Sequence, residues 1–135
     1  GDDTVLPFYY WGIYVNGVYV GKISLRIGYN FHTKYNGNIG YEIFSEYRGN
    51  HFALTACLII LKVALAHKIN ELILTCAENN IPSYKTIERL GGALTEITEV
   101  PKEYFAWHMG MKRERIYKLY LGQTESTTGK EIKPN

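Results

Sequence analysis

The residues best suited to chemistry lie together in the run Tyr41-Glu-Ile-Phe-Ser-Glu-Tyr-Arg-Gly-Asn-His51. Ile39 to Ser45 reads as a strand, Glu46 to Asn50 as a glycine-marked turn, and the following apolar run as a helix. A strand that turns through Arg48-Gly49-Asn50 into a helix N-terminus gathers several backbone N–H groups that have no acceptor in the helix. The helix dipole adds partial positive charge at the same point, so this chemistry suits an anion, and phosphate is the usual one. Glu42, on the strand leading in, is a candidate general base. Its alternation with Tyr41 and Ile43 fits a surface carboxylate equally well. Glu46 is a weaker alternative base and reads more as a structural turn residue. His51 faces the proposed anion and ranks low as a base. His32, His67 and His108 have no companions at ligand spacing, so no metal site is expected.

The elements that must position this turn can be read outward from it. Ahead of it, Asn16-Gly17 between aromatic and β-branched runs is a strong hairpin signal. The second arm alternates, with Ile23, Leu25 and Ile27 on one face and Lys22, Ser24 and Arg26 on the other, and Gly21 marks a bulge or bend. Asn30 to Gly37 reads as a polar connection. Behind the turn, the helix from about Asn50 to His67 is apolar on most sides, which predicts burial against a sheet and a further element. Glu71 to Thr75 is a short core strand. Strand, helix and strand of these lengths form a crossover whose two strands run parallel. Asn80 and Pro82 open a second helix that closes at Gly91-Gly92. Ala93 to Val100 and Ile116 to Leu121 are further strands, separated by a loop from Pro101 to Glu114. The fold class is therefore α+β: a mixed, largely antiparallel sheet with one parallel crossover and helices on both faces.

Composition narrows the function classes. The chain has 135 residues, 46% of them hydrophobic and 21% charged, as in an ordinary globular domain. Residues 1–122 are read as that domain and 123–135, rich in Thr, Ser and Lys, as a disordered tail. Fifteen basic against 13 acidic residues leave a net charge of +2, too balanced to argue for nucleic acid. The apolar run Phe52 to Ala66 contains Thr55 and Lys62 and is too short to span a bilayer, so no membrane is expected. Cys57 and Cys76 are the two cysteines, both in core patterns without metal spacing, which points to a reducing compartment, the cytoplasm. No G-x-G-x-x-G or Walker lysine supports a nucleotide fold of the Rossmann or P-loop kind.

Taken together, the order of elements and two motifs resemble the GNAT superfamily of acyl-CoA N-acyltransferases over roughly Phe8 to Leu121. In that family a loop of pattern R/Q-x-x-G-x-G/A leads from a strand into the long helix. Here Arg48 and Ala53 match it, and His51 occupies the usual glycine. The second match is Asn80-Ile81-Pro82-Ser83, similar to the family's N-x-x-S/A, followed by Glu88-Arg89-Leu90-Gly91-Gly92, similar to its E-K-L-G ending. Leu25 to Gly28, Ile39 to Tyr41 and Tyr47 to His51 resemble in particular a bacterial branch. The strand and two helices that usually precede the hairpin are not found, which reads as a truncated or trimmed version.

The resemblance implies acetyl-CoA as cofactor, with its diphosphate on the amides of Gly49, Asn50, His51, Phe52 and Ala53 and on Arg48. It implies main-chain bonds from Ile43, Phe44 and Ser45 to the pantetheine arm, one N–H polarising the thioester carbonyl, and contacts from Asn80 and Ser83. As helix caps those two residues would look the same. Glu42 would take the amine proton. The family's acid tyrosine falls at Ile87, which leaves Tyr84 as the candidate acid, with packing as its alternative role. The expected reaction is acetyl transfer to a primary amine of a small molecule or a protein. A non-catalytic CoA-binding or regulatory module is the alternative. The aromatic loop from Tyr104 to Met111 would cover the acceptor or pack on a second copy in a homodimer.

Overall fold

A computed structural model describes residues 5–122 of the chain; the expected tail, 123–135, lies outside the described residues. Strands β1 (Phe8–Val15) and β2 (Val18–Arg26) form the hairpin, and β3 (Ile39–Ile43) pairs antiparallel with β2. The hairpin turn is Asn16-Gly17, both at positive φ (50° and 80°), as the right-handed twist of the arms requires. A register shift between Ile13 and Tyr14 leaves one extra residue on β2 beside Gly21, the bend expected there. At Gly21 the neighbouring strand approaches so closely that a Cβ would stand 2.2 Å from the Glu42 carbonyl oxygen.

Helix α2 (Phe52–Ala66) leads to β4 (Glu71–Ala77), α3 (Ile81–Arg89), β5 (Ala93–Glu99), the short α4 (Phe105–His108) and β6 (Arg113–Tyr120). The second sheet has the order β4-β6-β5, antiparallel throughout. Thus α+β architecture is present, but the strands on either side of α2 belong to separate three-stranded sheets instead of one ladder. The pin between them is Asn38, 1% exposed. Its N–H donates to the Ile73 carbonyl (2.6 Å) and its Oδ1 accepts from the Ile73 N–H (2.8 Å). Its Nδ2 donates back to the carbonyls of Arg26 (3.1 Å) and Gly28 (2.8 Å). A buried side chain that meets both sheets replaces a ladder at one point, and beyond it the edges of β3 and β4 face each other unpaired.

One core joins the sheets: Ile23, Leu25 and Ile39 from the first, Leu72, Leu74, Tyr117 and Leu119 from the second, and Cys57, Ile60, Ala64 and Ile87 from the helices. Helices lie on both faces of the second sheet. Tyr117 donates to Glu88 of α3 on one face (2.8 Å), and Thr75 bonds the Tyr35 carbonyl of α1 (Phe31–Asn36) on the other (3.2 Å). The segment expected as a polar connection is therefore helical over α1. Asn30 Oδ1 accepts from the N–H groups of His32 and Thr33 while Thr33 Oγ1 accepts from the Asn30 N–H, a reciprocal cap strong enough to nucleate a short helix. The expectation that α2 is covered on both sides is also corrected: Leu58, Ile59 and Leu65 on its far side are exposed.

Candidate functional site

The strand and helix that frame the Arg48 turn both stop short of their expected bounds. Phe44 is extended, and Ser45–Tyr47 winds into a single 3-10 turn, so β3 ends at Ile43 instead of Ser45. Arg48 through His51 are exposed, with Gly49 at φ 88° and His51 at φ 61°, ψ 22°. His51 thus takes the left-handed conformation at the position where the family motif carries glycine. For a non-glycine residue that conformation costs about 1 kcal/mol or more, although His tolerates it better than most residues.

The turn is braced from within. Arg48 Nε donates to the Ile43 carbonyl (2.8 Å) and Asn50 Nδ2 to the Tyr47 carbonyl (3.1 Å). No side chain caps α2, and its first backbone bond runs from the Thr55 N–H to the His51 carbonyl (3.1 Å). The amides of Phe52, Ala53 and Leu54 therefore open toward the turn without a helical acceptor, which is the arrangement that favours an anion. Sequence reasoning missed Arg89. From the end of α3 its Nη1 donates to His51 Nδ1 (3.3 Å), which turns the imidazole toward α3 and brings a second guanidinium to the turn. The E-R-L-G-G run held the residue, but nothing local said where it would arrive.

Along β3 the ladder decides which backbone groups are free. The Phe44 N–H donates to the Val20 carbonyl (2.9 Å), and the Asn38 carbonyl accepts from the Arg26 N–H (2.7 Å). In an antiparallel pair such bonds alternate, so the amides of 40, 42 and 44 turn toward β2 and those of 39, 41 and 43 turn toward the gap. This sorts the expected main-chain donors. The Phe44 amide is spent inside the sheet and Ser45 belongs to the 3-10 turn, while Ile43 offers its N–H but has its carbonyl taken by Arg48.

Tyr41 is the other residue that sequence reasoning passed over. Its hydroxyl crosses from β3 to α3 and lies 3.1 Å from Ser83 Oγ. Burial pushes this phenol up to about 12 and keeps it protonated. Asn80 Oδ1 caps α3 by accepting from the Ser83 N–H (3.3 Å), so Asn80 and Ser83 sit beside the gap and also serve as cap and brace. Tyr84 has its ring under the Arg115 guanidinium, 3.9 Å from the centroid, and Ile87 is core, 1% exposed. Glu42 lies on the outer face of the first sheet, 3.7 Å from Lys22 Nζ with both side chains well exposed. It lines a shallow depression of ≈ 190 Å³ with Tyr10, Ser24, Gly40 and Tyr41. The structure therefore gathers Arg48 to Ala53 with Arg89 at one end of the gap and Tyr41, Ile43, Asn80 and Ser83 along it. Glu42 stays on the outer face, and Tyr84 packs against Arg115. Both cysteines are free and buried, and burial pushes the Cys57 thiol up to about 12. Among the described residues no group of three potential ligands could hold a metal. No helix there is long and apolar enough to cross a membrane.

Solved structures of acetyltransferases share this fold. A probable acetyltransferase superimposes with a TM-score of 0.69 at 21% identity, covering 84% of this chain and 62% of its own. Microcin C7 self immunity acetyltransferase MccE, in complex with acetyl-CoA and AMP, gives 0.67 at 18% identity, covering 84% and 61%. Ribosomal-protein-alanine N-acetyltransferase from Brucella melitensis gives 0.67 at 16% identity, covering 84% and 69%. The chain thus spans about three fifths of the length of the first of these structures. Comparison with curated proteins returns no match. The sequence model described as Acetyltransferase (GNAT) domain matches residues 2–93, from ahead of the hairpin through the Arg48 turn to the start of β5, and the chain belongs to that family.

Proposed function

We propose that this chain binds acetyl-CoA in the gap between β3 and β4 and serves acetyl transfer to a primary amine, of a small molecule or a protein. The observation that carries the reading is the pairing of three uncapped α2 amides with the outward amides of Tyr41 and Ile43 on the adjoining strand edge. The first set suits a diphosphate and the second an extended amide-bearing arm, and the two are contiguous through the exposed Arg48 turn. Arg48 and Arg89 add positive charge with no carboxylate paired to either among the described residues. MccE, a relative in fold, holds acetyl-CoA, which supports the same ligand here.

Bound acetyl-CoA would supply the activated acyl group as a thioester. The Ile43 N–H is our candidate to polarise its carbonyl; preorganised donors of that kind are worth ~3–4 kcal/mol in other acyl-transfer enzymes. Glu42, on the open outer face, would take the amine proton directly or through water. A thiolate is a tolerable leaving group that solvent can protonate. Tyr41 bridges β3 and α3 beside the gap with its proton retained, whereas Tyr84 is engaged by Arg115. The burial of Ile87 at the family's acid position favours a second reading, a CoA-binding module without turnover. Unpaired buried cysteines suit the reducing cytoplasm.

Isothermal titration with acetyl-CoA and with CoA, followed by thiol release across a panel of amines, tests the reading. Binding that weakens at least tenfold in Arg48→Ala with Arg89→Ala, with thiol release on some amine, is the expected result. Binding without release on any amine leaves the module reading. No binding of either ligand removes both.

A further inference from the structure

Glu114, at the start of β6, is 0% exposed, and neither carboxylate oxygen has a hydrogen-bond partner among the described residues. Its place on the sheet follows from its neighbours. Tyr117 bonds Glu88 and Arg115 packs on Tyr84, so the odd-numbered side chains of β6 face α3. Alternation sends Glu114 to the other face, toward α1 and the connection Pro101–Lys112. Those two segments are tied together across it. His32 Nδ1 lies 2.7 Å from the Tyr104 hydroxyl, and the Tyr35 and Tyr104 rings meet edge to face with centroids 5.9 Å apart.

The cations on the elements around Glu114 are engaged elsewhere: Lys34 of α1 pairs with Glu96, and Lys102 and Lys112 of the connection stand over the Trp107 ring. From β5 comes another carboxylate, Glu96, which is itself paired with Lys34 of α1 at 3.7 Å. From the connection come Tyr104 with its neighbour Glu103, and from α1 His32 and Tyr35, whereas the Cys76 thiol of β4, opposite Arg115 in the ladder, lies on the α3 face. On its own strand Arg113 bonds the Glu78 carboxylate and Arg115 the Glu78 carbonyl. An ionised carboxylate cannot stay in such a place without a partner, whereas a neutral carboxyl can. Burial first and then the Glu96 charge raise its pKa to about 8.

We propose that Glu114 is a proton-operated latch on the seam between α1 and the Pro101–Lys112 connection: its neutral carboxyl lets the seam close, and loss of that proton opens it. The ionised group either draws Lys34 from Glu96 or admits water under Tyr104, and both loosen the contact between Tyr104 and His32. The part released carries Phe105 (77% exposed), Trp107 and Met109 (69% exposed), the aromatic surface of this end of the molecule. The inference does not depend on acetyl transfer.

Amide exchange of the full chain at pH 6.5 and 9.5, corrected for the intrinsic rate, tests it together with Trp107 fluorescence in a Trp11→Phe background. Protection of residues 101–112 is expected to fall at least tenfold at the higher pH, with a matching fluorescence transition. Glu114→Gln should remove the transition, and Glu114→Met serves the same purpose should the glutamine variant fail to fold. Glu96→Gln should move the midpoint to lower pH, because it removes the charge that holds the proton on. Tyr104→Phe should leave the connection unprotected at both pH values. A transition that persists in Glu114→Gln or Glu114→Met, a midpoint unmoved by Glu96→Gln, or wild-type protection equal at both pH values would overturn the latch.

Discussion

Replacing Asn38 by alanine tests the claim that its side chain, in place of a ladder, supplies the hydrogen bonds that pin the two sheets at their junction. The residue is 1% exposed and makes three side-chain hydrogen bonds, of 2.8, 3.1 and 2.8 Å, to Ile73, Arg26 and Gly28. Each such bond contributes about 1 kcal/mol net, and the Ile73 amide left without an acceptor costs about 1–3 kcal/mol more. Partial relaxation and entry of water at the sheet edge offset some of this, so the expected loss is about 3–4 kcal/mol. That is a large part of the ~5–15 kcal/mol that holds a domain together. Urea unfolding followed by far-ultraviolet circular dichroism measures it as a shift in midpoint at unchanged slope. Asn38→Asp refines the test: its oxygen still accepts from Ile73 but faces two carbonyls as an anion. It should therefore be at least as damaging at neutral pH and recover as the carboxylate is protonated. Asn50→Ala, which removes bonds of an exposed side chain, should cost less than about 1 kcal/mol. A loss below about 1 kcal/mol in Asn38→Ala would refute the reasoning, because the side-chain bonds of Asn38 would then add little to the shared core.

Further outcomes follow from backbone geometry and titration. Gly21→Ala drives a Cβ to 2.2 Å from the Glu42 carbonyl oxygen, so the strands must part; a loss of roughly 3 kcal/mol in urea unfolding is expected. His51→Gly removes strain at φ 61° but also the contact with Arg89, and should leave stability unchanged or raised by up to about 1 kcal/mol. A large loss would mean that the imidazole braces the turn. Glu114 sets the pH dependence. Its folded pKa, about 8, lies above the unfolded value of 4.5, so between those pH values the folded state holds the extra proton and stability falls as pH rises. At about 1.4 kcal/mol per unit the limit is near 5 kcal/mol, and relaxation of the seam reduces it. Melting curves from pH 5 to 8.5 should slope downward in the wild type and less so in Glu114→Gln; parallel curves would count against a buried neutral carboxyl.

Much of this molecule is legible in the chain because it is local. Asn16-Gly17 sets the hairpin, the apolar run after Asn50 makes α2, and Asn80 with Pro82 starts α3, each through contacts a few residues apart. The anion-binding character of the Arg48 turn is legible for the same reason, since free amides at a helix N-terminus need no distant partner. Even α1 had its local signal in the reciprocal Asn30 and Thr33 cap, obscured by a polar composition that resembled a loop. Tertiary structure alone decided the rest. Only folding brings Asn38 to Ile73, and with that the division into two sheets and the open edge of β3. Only folding delivers Arg89 to His51 and Tyr41 to Ser83, and turns the Phe44 amide inward while leaving that of Ile43 free. Glu114 looks like any strand carboxylate in the sequence. Its burial is set by what packs over it from α1 and the Pro101–Lys112 connection, segments far from it or from each other along the chain, and no periodicity records such meetings.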